Sequence, residues 1–534
     1  LAGQGMDPNS VVVTNSFTCQ SVTDVLDEAV LTTLAQAPAA MTPGVSLPNY
    51  ETVGDFLTWA GAIESPDSLP YNALLAQATI TLPTFYPGDS SGPAGWLEAV
   101  TGYWQSGSVV YQNTTDAPNN AFPTRYNTSV IQLGFHEVPV FISTPDVSIP
   151  SSASPPWPVV IFQHGITRSR FDASAFTSLL CGLGYAVIAM DAPLHGTTLE
   201  NPFYAGVGGL NNLLGEERTL AIDLIDNDTG EPGSDGVIDP SGEYFLNFSS
   251  MISLRSVWMQ AVCDLALLTA TIPEWDYDGD GDPSNDFTSE IHYAGHSLGG
   301  LIGSTFLSAM PAGYISSAEL NVTGGGVAKM LENSPIYNPR LLNFFAGEGL
   351  VQGTTRAEQA LNIISAVADG IDPVNHIRRA AQKVPIHMGI VVGGKPTPDN
   401  SFGFWLPDTV IPNDSLGTGL YAQIVGTPLA LLPNGATDPG TYVGIAEPSY
   451  LGGSFPLARM ASLPRPELSG VVFSSNIIKD YPADLHAGGA SHFIAGDHGS
   501  FALPSVDMGF SMQLGEQSWM VSSAKQMSLM NGGL

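Results

Sequence analysis

The most constraining stretch of the 534-residue sequence is EIHYAGHSLGGLIGSTFLSAM, residues 290–310. Apolar residues run into Gly295-His296-Ser297-Leu298-Gly299, and small residues at helical spacing follow. A buried strand, a tight turn flanked by glycines and then a helix hold a serine above the carboxyl edge of a sheet. The helix N-terminus beneath it favours developing negative charge. In a chain with 58 glycines a bare GxSxG can arise by chance, and the alternative is a serine in a structural turn. The flanking strand and helix favour Ser297 as a nucleophile.

The same alternation extends along the chain. HEVPVFIS (136–143), PWPVVIFQHG (156–165), YAVIAMD (185–191) and VPIHMGIVVGG (384–394) read as strands. ASAFTSLLCGLG (173–184) and SMISLRSVWMQAVCDLALLTATI (250–272) read as helices. Buried strands separated by helices specify an α/β class, a mostly parallel central sheet with helices on both faces. Residues 1–68 are read as a small N-terminal extension and 69–534 as the main domain. Two stretches break the alternation. Residues 197–249 form a Gly- and Asp-rich loop insertion, and 329–380 are helical and apolar. Long excursions of this kind are often lids or binding loops, so 329–380 is the lid candidate, the alternative being helices that simply pack.

Charge narrows the function classes. Against 50 acidic residues stand 16 basic ones, a formal net charge of −34. Such a surface repels phosphate backbones, so no nucleic-acid partner is expected. It gives no help on anionic membranes either, so a transient contact with a lipid interface would be apolar or cation-mediated. Strong acidity with few lysines suits secretion or a salty medium, and a secreted or cell-surface protein is expected. The chain opens at Leu1 and is read as a mature or trimmed product, in which a signal peptide would no longer be present. Cys19, Cys181 and Cys263 fit small buried residues better than a disulfide scaffold. No apolar run approaches the roughly 18 residues of a spanning helix.

A serine hydroxyl needs a base to remove its proton. After a nucleophile elbow the chain order is acid, then histidine. His376, His387, His486, His492 and His498 lie downstream of Ser297. His387 sits within a strand and His376 in the lid candidate. His498, in SHFIAGDHGSF, follows a short apolar strand on a glycine-flanked loop and is favoured over His492 and His486. The acid should follow VPIHMGIVVGG. Asp408, in LPDTVIPN, resembles the D-x-V-V-P pattern found after the acid and is favoured over Asp399 and Asp414. Each of these is otherwise a solvated loop carboxylate. For the oxyanion hole, the residue after the nucleophile, Leu298, supplies one backbone N–H, and the sharp His164-Gly165 turn points to Ile166 as the second. Gly165 permits close approach there, and His164 shapes the turn.

Several motifs in order resemble the α/β-hydrolase superfamily, and within it the large secreted bacterial lipases and lysophospholipases that include the virulence-factor lipase group. They are SFTCQSV (16–22), LPY (69–71), PVVIFQHGIT (158–167), DAPLHG (191–196), DGVIDPSGEYFLNF (235–248), IHYAGHSLGG (291–300), DTVIPN (408–413) and DHGSF (497–501). After FLNF such proteins carry Arg-Asp-x-x-Arg-Gln, of which SLRSVWMQ keeps Arg255 and Gln260. The resemblance implies an α/β-hydrolase fold and hydrolysis of acyl esters, including lipid or lysophospholipid esters. Ser297 would be nucleophile, His498 base and Asp408 the acid that orients it, with no cofactor required. Polyester or amide substrates use the same triad, and a non-catalytic binding protein on this scaffold is the reading from another class.

DYDGDGDPSNDF places Asp276, Asp278, Asp280 and Asp282 on alternate residues, with Asp286 farther on. Hard oxygen ligands at this spacing suit a structural Ca²⁺, although Phe287 stands where a bidentate Glu is expected. A solvated acidic loop is the alternative, and DNDTGEPGSDGVID (226–239) is a weaker second cation candidate.

Overall fold

The apolar runs form strands with both faces buried. The computed structural model describes residues 21–36, 41–43, 51–89, 92–107, 122–199, 217–391, 408–413, 452–461, 489–493 and 497–499. Their strands are β1 (Met41–Pro43), β2 (Leu74–Thr84), β3 (Gly134–Thr144), β4 (Trp157–Gln163) and β5 (Ala186–Met190), then β6 (Phe287–His296), β7 (Ser317–Asn321), β8 (Ile386–Val391) and β9 (Gly489–Phe493). They make one sheet in the order β1-β2-β3-β5-β4-β6-β7-β8-β9. From β5 to β9 across the sheet every pairing is parallel. β1, β2 and β3, of which HEVPVFIS announced β3, are joined antiparallel at the other side.

The helices are α1 (Asp24–Leu34), α2 (Val53–Trp59), α3 (Pro93–Thr101), α4 (Ser174–Gly182), α5 (Met251–Thr271) and α6 (Leu298–Ala309). They continue with α7 (Val327–Asn333), α8 (Asn338–Gly347), α9 (Thr355–Ala368), α10 (Pro373–Ala381) and α11 (Ser454–Met460). Successive strand residues point to opposite faces, so each central strand feeds two cores. Val159 and Ile161 join Val257, Leu265, Ile302 and Phe306 on one face. Val160 and Phe162 join Phe56, Phe176 and Leu180 on the other. The strand order, the helices on both faces and the strand–turn–helix at Ser297 make this an α/β-hydrolase fold.

One sequence expectation is corrected. The α5 region, Met251–Glu274, is long and apolar enough to cross a membrane, with a mean hydropathy of 1.3 over its best 18 residues. It is apolar nearly all round because it is buried nearly all round, with Trp258, Val262 and Leu265 wholly enclosed. Cys181 and Cys263 are buried free thiols. Burial pushes the Cys181 thiol up to about 12. Cys19 lies outside the described residues.

The irregular segments divide by what they pack on. Val25, Leu26, Ala29 and Val30 of α1 belong to the same core as α5, and Asp27 pairs with Arg379 of α10. In 329–380, α9 lies against α5 and α7, and α10 against α6. The 217–249 stretch has turns in place of helices, and its acids satisfy its own backbone. Asp223 accepts the N–H groups of Asp235 and Gly236, and Asp239 accepts those of Leu224 and Ile225. Asp-rich loops can fold this way without an apolar period.

Candidate active site

The carboxyl ends of the parallel strands carry the chemistry, as open α/β sheets generally do. At the end of β6 the chain turns sharply, and Ser297 adopts φ 54° and ψ −113°, a conformation L-residues rarely take. Two glycines make the turn sterically feasible. A Cβ on Gly295 would lie 2.4 Å from the Gly299 carbonyl oxygen, and one on Gly299 would lie 2.1 Å from that of Gln163. Strand β4 and helix α6 therefore approach more closely than any side chain allows. Ser297 N–H donates to the Asn321 carbonyl at 2.9 Å, and the Ser297 carbonyl accepts from Leu301 at 3.0 Å, which anchors the serine to β7 and to its own helix.

Ser297, His498 and Asp408 come from three separate loops and form one hydrogen-bonded chain. His498 Nε2 lies 2.8 Å from Ser297 Oγ, and His498 Nδ1 lies 2.7 Å from Asp408 Oδ2. Asp408 is buried at the end of β8, its N–H on the Val391 carbonyl. Its other oxygen, Oδ1, accepts Val410 N–H at 2.8 Å and Ile411 N–H at 2.9 Å. Every carboxylate oxygen thus has a donor, and the imidazole is held with Nδ1–H toward Asp408 and Nε2 free to accept from the serine.

The turn after β4 faces the serine. A Cβ on Gly165 would sit 3.3 Å from Ser297 Cβ, so glycine lets this backbone close in. Among the described residues neither Ile166 N–H nor Leu298 N–H has an acceptor. His164 is wholly buried behind the turn. Its Nε2 accepts Ala192 N–H at 3.0 Å and its Nδ1 donates to the Gly165 carbonyl at 2.7 Å. Burial lowers its pKa to about 3, so it stays neutral and ties the turn to the DAPLHG loop. His296, packed 5.5 Å from the His498 ring, is likewise driven well below the usual histidine range, first by burial.

The other sequence candidates go elsewhere. His387 on β8 is buried, with Nδ1 2.6 Å from Glu319 of β7. His376 on α10 is buried between Ser308 Oγ and the Gly370 carbonyl. His492 lies on β9, while His486, Asp399 and Asp414 lie outside the described residues.

A cavity of about 330 Å³ opens over the serine. Beside Ser297 and His498, its walls include Ile166, Arg168, Ile336, Tyr337, Arg340 and Val410. The last five were not singled out from the sequence. Arg168 is held by Asp172 through Nε at 2.8 Å and Nη2 at 2.7 Å, an i,i+4 pair visible in RSRFD. The α7–α8 junction is docked on the Asp408 loop. Ile336 N–H donates to the Thr409 carbonyl at 3.3 Å, and Ser334 Oγ to the Val410 carbonyl at 2.6 Å. From the lid candidate, residues 336–340 reach the cavity, whereas α9 and α10 pack behind.

The five acidic residues singled out for a cation divide. Asp276, Asp278 and Asp280 bring carboxylate oxygens within 4.8 Å of one another. Asp282 instead caps the Ser284 N–H at 3.1 Å, and the buried Asp286 accepts Tyr277 N–H at 2.8 Å. Asp286 has its pKa raised, first by burial.

No family model and no curated protein sequence matches this chain. Among solved structures it is similar to the acetyl xylan esterase from Paenibacillus sp. R4, at 13% identity and TM-score 0.34, covering 71% of this chain and 81% of that one. It is also similar to acetyl xylan esterase 1 from Thermoanaerobacterium sp. JW/SL YS485, at 12% identity and TM-score 0.31, covering 58% and 80%. A third is the acylaminoacyl peptidase of Pyrococcus horikoshii, at 10% identity and TM-score 0.32, covering 84% and 48%.

Proposed function

We propose that this protein is a serine hydrolase that cleaves carboxylic esters through an acyl-enzyme on Ser297. The observation that carries the reading is the continuous chain Ser297–His498–Asp408, at 2.8 and 2.7 Å, on a strained elbow. A solvated loop carboxylate or a structural turn has no need of all three in register.

In this reading His498 Nε2 takes the Ser297 proton as Oγ attacks the acyl carbon. The oxyanion of the tetrahedral intermediate is received by Ile166 N–H and Leu298 N–H. As the intermediate collapses the ester C–O bond breaks, and the imidazolium returns the proton to the departing alkoxide. Asp408 steadies the imidazolium and fixes its tautomer. Water, deprotonated by the same His498, then attacks the acyl-enzyme, releases the carboxylic acid and restores Ser297. No cofactor enters these steps.

The apolar walls Ile166, Ile336 and Val410 support an acyl chain as the group beside the serine. Lipid and lysophospholipid esters are the finer substrate proposal, and secretion or display at the cell surface the proposal for location, on the acidic composition. The test is labelling with a fluorophosphonate probe, with peptide mass spectrometry, beside Ser297→Ala. A stoichiometric adduct on Ser297, with ester turnover that the variant loses by 10³-fold or more, is the expected result, on the order that triad removal costs elsewhere. A folded wild type that neither labels nor turns over any ester sinks the reading in favour of a binding protein.

A further inference from the structure

We propose that Tyr337, with Arg340 beside it, is a specificity determinant that donates hydrogen bonds to an acceptor oxygen on the substrate. This rests on the esterase reading of the same site. Tyr337 is only 9% exposed, yet it lines the cavity over Ser297. Among the described residues its phenol hydroxyl has no hydrogen-bond partner, nor is it one of the fully enclosed unsatisfied atoms. The hydroxyl is thus unpartnered yet not sealed in, on a side chain that lines the cavity. A tyrosine buried to this degree normally finds a partner for its O–H. A bound substrate is what would supply one here.

The surroundings make it a donor held in place. The ring packs with Val327 and Leu331, against Ile166 and Val410. Its backbone N–H donates to Ser334 Oγ at 3.1 Å, and that hydroxyl in turn grips the Asp408 loop. Burial pushes the phenol up to about 12, so it keeps its proton across the working range. Arg340, three residues on and so on the same side, also lines the cavity. Its pairing with Glu243, at 3.1 and 3.5 Å, leaves further guanidinium protons to spare. Beside its apolar walls the cavity is thus lined by two side chains that can donate. A site built to hydrogen-bond an oxygen discriminates against the all-carbon analogue more strongly than an apolar pocket discriminates by size.

The experiment compares size-matched esters that differ by one CH₂→O exchange. On the acyl side these are p-nitrophenyl butyrate and p-nitrophenyl methoxyacetate. On the alcohol side they are butyl butyrate and 2-methoxyethyl butyrate. Intrinsic reactivity cancels when each pair's kcat/KM ratio is compared between the wild type and Tyr337→Phe, which keeps the packed ring. The expected result is a loss of about three- to tenfold on the oxygen-bearing member of one pair, with its carbon analogue changed less than twofold; this is what one net hydrogen bond is worth. The pair affected identifies the side of the ester that the tyrosine reads. Arg340→Gln should move the same pair in the same direction. Equal losses on all four esters, or none, overturn the proposal. Fluorophosphonate labelling of Ser297 at the wild-type rate in Tyr337→Phe shows that the triad is intact. If the wild type fails to label, the esterase reading falls, and this inference with it.

Discussion

Two acid-rich regions of this molecule carry their charge in opposite ways. Beneath the turn after β4, Asp191 and Asp264 are buried together with Arg170, and the part-buried Glu217 and Arg218 join them. Arg170 bonds to both Asp191 and Glu217, and Arg218 reaches Asp264 at 2.6 Å and the Asp191 carbonyl at 2.8 Å. On the surface, Asp276, Asp278 and Asp280 face water without a basic partner among the described residues. Their carboxylates accept only local groups, such as Gly279 N–H and Asp282 N–H. Buried charge must be paired and fully hydrogen-bonded, whereas exposed like charges are tolerated because water and salt screen them. Arg170 and Arg218 thus stand where burial demands a cation, in a chain whose net charge is −34.

The largest expected effect comes from breaking the buried cluster. Arg170→Met leaves Asp191 and Glu217 enclosed without their cation and should cost about 3–5 kcal/mol in fluorescence-monitored urea unfolding. Adding Asp191→Asn and Glu217→Gln to that variant should return part of the loss, because the charges left unpaired are then gone. A single variant within 1 kcal/mol of the wild type would show that the cluster is not what holds this region. Hydrolysis should fall as well, since Arg170 lies four residues beyond Ile166, in the segment that His164 and Asp191 tie down.

The next effect comes from a buried group kept neutral instead of paired. His376 is lowered to about 4, first by burial. Its folded-state pKa lies below the unfolded value near 6.5, so only the unfolded chain takes up the proton between pH 6.5 and 4. Stability from this site is present above pH 6.5 and is lost as pH falls through that window, by up to about 3 kcal/mol. His376→Gln has no such proton to take up. Its unfolding free energy, measured beside the wild type at pH 7 and pH 4.5, should fall less on acidification. Parallel losses in the two proteins would assign the acid sensitivity to other groups.

These contrasts mark what the sequence could disclose. The elbow was legible because its demands are local: glycines at 295 and 299 where backbones nearly touch, and a strand and helix on either side. Asp408 and His498 were legible by chain order, each following a strand of the parallel sheet. Strand β7 was not, since SAELN lacks an apolar run. It can be buried only because Glu319 meets His387 of the neighbouring strand, a partner 68 residues away. The cavity wall was hidden for the same reason. Tyr337 and Arg340 are unremarkable in their own segment and meet Val410 only after the α7–α8 junction docks on the Asp408 loop. The buried charge cluster joins residues as far apart as Arg170 and Asp264 through pairings that no local period records.

The smallest expected effect belongs to the exposed loop, and it sharpens the comparison most. Its three carboxylates converge within 4.8 Å, a spacing that suits either a hard cation or a set of local turns. The hydrogen bonds favour turns: Asp276 accepts Gly279 and Gly281 N–H groups, Asp278 accepts Asp280 N–H, and Asp280 accepts Asn285 Nδ2. Asp276→Asn with Asp280→Asn removes two negative charges and leaves one acceptor oxygen on each side chain for these turns. In the presence of a chelator the double variant should lie within about 0.5 kcal/mol of the wild type, the range of ordinary surface substitutions. It should gain slightly at low salt, where repulsion among the aspartates is least screened. Calcium then decides between the two descriptions. If millimolar Ca²⁺ leaves the wild-type melting temperature unchanged, the loop is a solvated one whose charge water carries. A rise that the double variant abolishes would mean that this surface, like the buried cluster, depends on a cation, one taken from solution in place of an arginine.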